Sequence, residues 1–319
     1  MTDEEVKSRL DPDQVIAAIE EAFRSRYPRT LMPVRTQMNL ANGVFLVMPC
    51  YDRDGQGLGM KTVMVTENAV NPDDKLHATY LLLDPATGQP RAVFAARYLT
   101  ELRTAATSAV ATKFLARPDA KVLGIYGTGR QARAHLQVLR KVRPFEHFLI
   151  SGLDIGRGRE FAQEMAREFD APVEAVYSMA CAAESDVLCT CTTSKVPLFD
   201  GKMLRPGTHL NLVGAFRPHT REVDDVTVQR SRVVVDTYEG ALAEAGDLII
   251  PLNKGIISKS HILADLHELV KGKTAVRTNP EQITLFKSLG CALEDLVTAE
   301  LLAGNNSQDC YESYNSHTP

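Results

Sequence analysis

At 319 residues the chain exceeds the usual size of one domain, so two are expected. Its 44% hydrophobic and 24% charged residues are those of a globular protein, and a formal charge of −4 offers no basic surface for nucleic acid or an anionic membrane. The start, Met1-Thr2-Asp3-Glu4-Glu5, is acidic where a secretory signal is basic and then apolar. No apolar run reaches the roughly 18–20 residues of a membrane span, and the cysteine usage described next predicts a cytoplasmic protein. Cys50, Cys181, Cys189, Cys191, Cys291 and Cys310 are scattered without a CxxC pair. Reduced structural thiols are expected, with neither a disulfide framework nor a bound metal.

Asp11-Pro12 reads as an N-cap with proline at the first helical position, and Val15, Ile16, Ile19 and Phe23 mark one face of a helix ending near Arg26. Between Arg35 and Val65 the pattern turns to short β-rich runs broken by Asn42-Gly43 and Asp52-Arg53-Asp54-Gly55, the signature of an antiparallel sheet. Residues 76–83 and 91–94 flank the turn Asp84-Pro85-Ala86-Thr87-Gly88 and predict a further hairpin. Residues 100–116 read as a helix, with Leu102, Ala106, Val110 and Phe114 four apart and small residues that admit close neighbours.

After Arg117-Pro118-Asp119 strand and helix alternate. Strands are predicted at 122–126 and 148–151, helices at about 131–142 and 158–169, and later strands at 187–191, 210–213 and 233–235. This alternation predicts an α/β, doubly wound parallel sheet. The polar tail from Gly304 reads as partly disordered.

Gly127-Thr128-Gly129-Arg130-Gln131-Ala132 lies between the first of these strands and its helix. The first glycine permits the tight turn, the second lets backbone amides approach a pyrophosphate, and Ala132 stands where a small residue packs helix on strand. The helix N-terminus adds free N–H groups and partial positive charge. A glycine pattern alone is only a turn; strand, turn and helix together predict a Rossmann dinucleotide site. At the end of the second strand Gly152 replaces the usual acidic residue. Asp154 is placed to reach a ribose hydroxyl, whereas Arg157 or Arg159 would meet a 2′-phosphate. The lack of a basic residue directly after Gly152 points to NAD, with NADP as the alternative.

The glycine loop, Leu102-Arg103-Thr104-Ala105-Ala106-Thr107-Ser108-Ala109, residues 43–49, Gly59-Met60-Lys61, residues 211–218 and residues 285–295 occur in one collinear order. Together they resemble the ornithine cyclodeaminase/mu-crystallin family. The resemblance implies an α+β substrate-binding and dimerisation domain (1–117 with 296–319) beside a Rossmann domain (118–295), in a homodimer. It implies reduction of imino acids, amino-acid dehydrogenation or ornithine cyclisation. It also implies that Arg35, Lys61 and Arg103 bind the substrate carboxylate, and that Gly127, Thr128, Gly129, Arg130, Gln131, Asp154, Thr190, Gly214 and Ser288 bind the cofactor.

Such cations suit the chemistry. A guanidinium grips a carboxylate through two parallel bonds, and Lys61 adds a charge that can also protonate an imine nitrogen, so Lys61 and Arg103 are the catalytic candidates. Without the resemblance each would read as a surface charge. Ornithine cyclodeaminases carry a glutamate where this chain has Leu46 and an aspartate where it has Ala215-Phe216-Arg217. Both departures point away from cyclisation and toward simple imine reduction. The rival readings are an ornithine or lysine cyclodeaminase and a cofactor- or small-ligand-binding protein resembling mu-crystallin. His77 is a further candidate proton donor because histidine titrates near neutrality, although a lone histidine is more often structural. Glu294-Asp295 reads equally as a helix-start charge or as part of the closure of the cofactor site.

Overall fold

Thr2 and Glu5 exchange side-chain and backbone hydrogen bonds, and this capping box opens α1 (Asp3–Arg9) in the computed structural model, which describes residues 1–54, 57–66 and 75–304. With only Val6 buried, α1 carries too little apolar periodicity to be read from sequence. Asp11 caps α2 (Pro12–Glu21) by accepting Gln14 N–H at 3.0 Å, and Val15, Ile16 and Ile19 form its buried face. The chain continues through a wider helical turn to Arg26, with Phe23 fully buried.

Strands β1 (Thr30–Leu31), β2 (Thr36–Leu40), β3 (Gly43–Asp52), β4 (Gly57–Thr66), β5 (Leu76–Leu83) and β6 (Pro90–Ala95) form one antiparallel sheet. Its order is β1-β3-β4-β5-β6, with β2 also paired to β3. Alternation assigns the faces. Val44, Leu46, Met48 and Cys50 point inward on β3, Gly59, Lys61 and Val63 on β4, and Tyr80 and Leu82 on β5. Asp84 closes the β5–β6 hairpin by accepting the amides of Ala86 and Thr87.

Helix α3 (Arg97–Leu115) leads into the second sheet. There β7 (Val122–Tyr126), α4 (Arg130–Leu139), β8 (His147–Ser151), α5 (Ile155–Phe169), β9 (Val173–Ala175), α6 (Ser178–Glu184), β10 (Val187–Thr190) and β11 (His209–Leu212) alternate. They are followed by α7 (Asp225–Arg230), β12 (Ser231–Val235), α8 (Tyr238–Glu244), α9 (Gly246–Asn253), β13 (Ile262–Asp265), α10 (Leu266–Val270) and β14 (Ile283–Lys287). All pairs are parallel, in the order β13-β12-β14-β11-β10-β7-β8-β9. The last helix, α11 (Ala292–Gly304), packs on α2 and on the first sheet.

Internal contacts divide the chain into Met1–Thr104 with the segment from Gly290 onward, and Ala105–Leu289. The sequence reading put these crossings at 117/118 and 295/296. The first falls earlier because Ser108 already bonds to His135 (3.0 Å) and Thr112 to Asn211 (2.9 Å). The second falls earlier because Glu294 and Asp295 bond to Arg103 and Lys61. The predicted polar tail, with Cys310, lies outside the described residues apart from Gly304 itself. No described helix is long and apolar enough to cross a membrane.

Candidate active site

In the second unit the strand order reverses between β7 and β10, the point where a doubly wound sheet opens a crevice at its carboxyl edge. The glycine loop occupies that edge. Gly127 has φ +111°, and a Cβ there would lie 2.5 Å from Cys191 O, so the turn requires glycine twice over. Gly129 is the N-cap of α4, no side chain caps the helix, and a Cβ at Gly129 would meet no atom within 4 Å. Uncapped amides, open space above them and the fully buried Ala132 beneath fit a dinucleotide pyrophosphate. Thr128, Arg130 and Gln131 complete the loop and the first turn of α4.

The other predicted cofactor residues divide. Asp154 stands beyond β8 as the N-cap of α5, its Oδ1 accepting Arg157 N–H at 2.9 Å, so one carboxylate oxygen serves the helix. Helix α5 starts three residues earlier than its glycines suggested. Thr190, Gly214 and Ser288 follow or end the adjacent strands β10, β11 and β14. The Thr190 side chain is fully buried and donates to Glu222 Oε2 at 2.8 Å, so it supports the rim from below. Gly214 is needed for close approach, since a Cβ would fall 2.1 Å from Thr192 O. Ser288 is buried, its Oγ has no protein partner, and its N–H bonds Leu212 O.

Sequence reading missed the group that fixes this rim. Glu222 accepts from Thr190 Oγ1, Thr192 N and Oγ1, Gly214 N and Ala215 N, all within 3.1 Å. Burial and then the neighbouring Asp247 raise its pKa. Lys287 bridges Asp247 Oδ2 (3.0 Å) and Ala215 O (2.5 Å). The signal available was a carboxylate shortly after the 211–218 segment, which spacing alone did not single out.

In the first unit Lys61 and Arg103 meet in a buried cluster. Lys61 Nζ lies 2.7 Å from Asp295 Oδ1, and Arg103 Nη1 lies 2.6 Å from Glu294 Oε2. Arg103 Nε also comes within 2.8 Å of the same Asp295 Oδ1, as an ion pair without hydrogen-bond geometry. Both carboxylates are fully buried, and the cations are 1% and 5% exposed at the side chain. The local sequence explains the assembly. Lys61 takes an inward position on β4, Arg103 stands on α3, and Gly290 (φ +78°) turns the chain into α11. A Cβ at Gly290 would fall 2.1 Å from Arg103 Nη1, so the guanidinium lies directly over this glycine. Glu294 also accepts Cys291 N–H at 3.2 Å and thereby holds the helix start. Burial, then the nearby Arg103, push the Lys61 pKa down to about 8, against the pull of Asp295. Burial lowers that of Arg103, but Asp295 and Glu294 outweigh it, and the net direction is up.

Leu46, with Val44 and Val63, forms an apolar patch on the face that carries Lys61. Arg35 is half-buried just before Thr36, which pairs with Val47, so it enters the sheet at the level of Met48, the strand neighbour of Lys61. His77 is not in this group. It pairs with Met64 and points, exposed, to the face opposite Lys61. Among the described residues no His, Cys, Asp and Glu cluster is able to hold a metal ion.

Comparison with known proteins bears on both sites. The profile of the ornithine cyclodeaminase/mu-crystallin family matches residues 1–309. A Δ1-pyrroline-2-carboxylate reductase of Bacillus cereus is 38% identical over 305 residues, 93% of each chain. Ketimine reductase mu-crystallin of Rattus norvegicus is 35% identical over 308 residues, 94% of each. The structure of Thermococcus litoralis Δ1-pyrroline-2-carboxylate reductase, in complex with NADH and L-proline, superposes with a TM-score of 0.89 at 37% identity, over 99% of this chain and 97% of that one. With the glycine loop and the Lys61–Arg103 pair both in place, the chain belongs to the ornithine cyclodeaminase/mu-crystallin family.

Proposed function

We propose that the protein reduces a small 2-imino acid (a ketimine) to the amino acid with a nicotinamide cofactor, and in reverse acts as an amino-acid dehydrogenase. The observation that carries this reading is the buried pairing of Lys61 and Arg103 beside an apolar wall in a chain with an open glycine-loop helix. Relatives named as imine reductases support it.

When bound, the nicotinamide supplies the hydride. Arg103, with Arg35, holds the substrate carboxylate and so fixes the C=N carbon. Lys61 places an ammonium at the nitrogen. As the C=N π bond takes hydride at carbon, the nitrogen gains a proton from Lys61, leaving an amine. NAD is the preferred cofactor on this reading, because no basic residue directly follows Gly152 and Arg157 lies 3.8 Å from Asp154 rather than standing alone. NADP is the alternative.

Incubation with cyclic imino acids, and with keto acids plus ammonia or methylamine, should oxidise NADH and give the amino acid by mass spectrometry. A 2-hydroxy acid formed from a keto acid without amine would refute the imine assignment. Ornithine should not be cyclised, because the Leu46 wall gives its distal ammonium no partner and an unpaired buried charge costs several kcal/mol, in order of magnitude. Steady proline and ammonia from ornithine with catalytic NAD would overturn this part of the reading.

A cytoplasmic homodimer is part of the same proposal. The outward face of the first sheet carries Phe45, Val47, Met60 and Val93, the last 54% exposed, and β2 presents Met38 at 50% and Leu40 at 43%. So apolar a surface fits a second copy of the chain. Met38→Asp with Leu40→Asp should shift the sedimentation profile from dimer to monomer. An unchanged profile would place the interface elsewhere.

A further inference from the structure

The two acidic residues at the start of α11 do more than complement a helix dipole. An acidic first turn is ordinarily solvated, whereas here both side chains are fully buried and both are committed to the cations of the substrate site. They divide the work unequally. Glu294 pairs with Arg103, its Oε2 at 2.6 Å from Nη1. Asp295 Oδ1 touches both, at 2.7 Å from Lys61 Nζ and 2.8 Å from Arg103 Nε. Two cations this near one another repel, and one shared oxygen sets their separation. The second oxygen, Oδ2, is also buried and has no hydrogen-bond partner in the protein.

We propose that Asp295 is a positioning residue for imine reduction, holding Lys61 as the ammonium at a fixed distance from Arg103. This rests on the reading above, in which Lys61 protonates the imine nitrogen. Met48 and Tyr80 are the strand neighbours of Lys61, Arg103 comes from α3, and Glu294 and Asp295 come from α11. Of these, Arg103 and burial favour the neutral amine, while Asp295 and Glu294 favour the ammonium, Asp295 by direct hydrogen bond. Asp295→Asn therefore removes the stronger support for the charged form, and the Lys61 pKa must fall.

Two measurements test this. In protein labelled with [13C]lysine, the Lys61 Cε resonance, assigned with Lys61→Arg, reports titration without any substrate. It should move with a midpoint near pH 8 in the wild type and at least about one pH unit lower in Asp295→Asn. The high-pH limb of kcat/KM for the imino acid should move down by the same amount. In Glu294→Gln the limb should move far less than in Asp295→Asn, while KM rises. If Asp295→Asn fails to fold, Asp295→Glu serves. It keeps the charge but displaces the carboxylate by a methylene, so the titration should stay near the wild-type midpoint while kcat/KM falls at least about tenfold. A Lys61 midpoint unmoved in Asp295→Asn, or wild-type kcat/KM in Asp295→Glu, would overturn the proposal. Failure of the wild type to reduce any imino acid would instead overturn the functional reading, and the resonance would still report on Asp295.

Discussion

Arg103→Lys should lower kcat/KM for the imino acid at least about tenfold, or about 1.4 kcal/mol of transition-state stabilisation, although the charge is conserved. The reason is geometric. The guanidinium donates to Glu294 through Nη1 and lies against Asp295 through Nε as an ion pair while covering Gly290, and a compact lysine ammonium does not reproduce that planar spread. Arg103→Ala should be worse. It leaves Glu294 buried without its cation, and breaking a buried pair costs about 3–5 kcal/mol, so stability should fall together with activity. Dinucleotide affinity, measured by calorimetry on folded Arg103→Lys, should stay nearly constant because the glycine loop belongs to the other unit. Wild-type kcat/KM in both variants would make Arg103 a structural helix residue.

Gly129→Val should weaken dinucleotide binding by about a hundredfold, or about 2.7 kcal/mol, with little change in Tm. Its φ of −94° suits any residue, and the space where a Cβ would stand is open, so the fold has nothing to lose. The branched side chain would instead cover the uncapped amides at the start of α4. Gly127→Ala is the informative contrast. There φ is +111° and the new methyl meets Cys191 O at 2.5 Å, so unfolding should accompany the loss of binding. Unchanged affinity in folded Gly129→Val would remove the pyrophosphate from this loop.

What the sequence revealed and what it hid follow from the range of the interactions. The glycine loop is local, and its strand, turn and helix all sit within 122–139, so the motif and its context were legible together. Lys61 and Arg103 were legible as residues through their motifs. Their partners were not, because Lys61 and Asp295 are 234 positions apart and nothing in a linear pattern pairs them. The face that His77 takes was hidden for a related reason. Which face a strand residue takes depends on register across a hairpin, and a shift of one residue reverses it. Strand β9, at three residues, was too short for periodicity to register. Gly156 and Gly158 disguised the start of α5, which Asp154 secures by capping.

The clamp beneath the rim at the carboxyl ends of β10, β11 and β14 bears on how such a protein diversifies. At Ala215 the N–H is held by Glu222 and the carbonyl by Lys287, both fully buried. The backbone that displays Phe216 and Arg217 is thus anchored independently of the side chains it displays. Phe216 is half-buried against the core of its unit, and Arg217 stacks 5.8 Å from the ring centroid. Replacing the displayed residues therefore alters shape and charge at the rim without asking the loop to refold. Single substitutions at 216 and 217 leave this backbone held, whereas Glu222 and Lys287, buried and fully engaged in the clamp, have far less freedom to change.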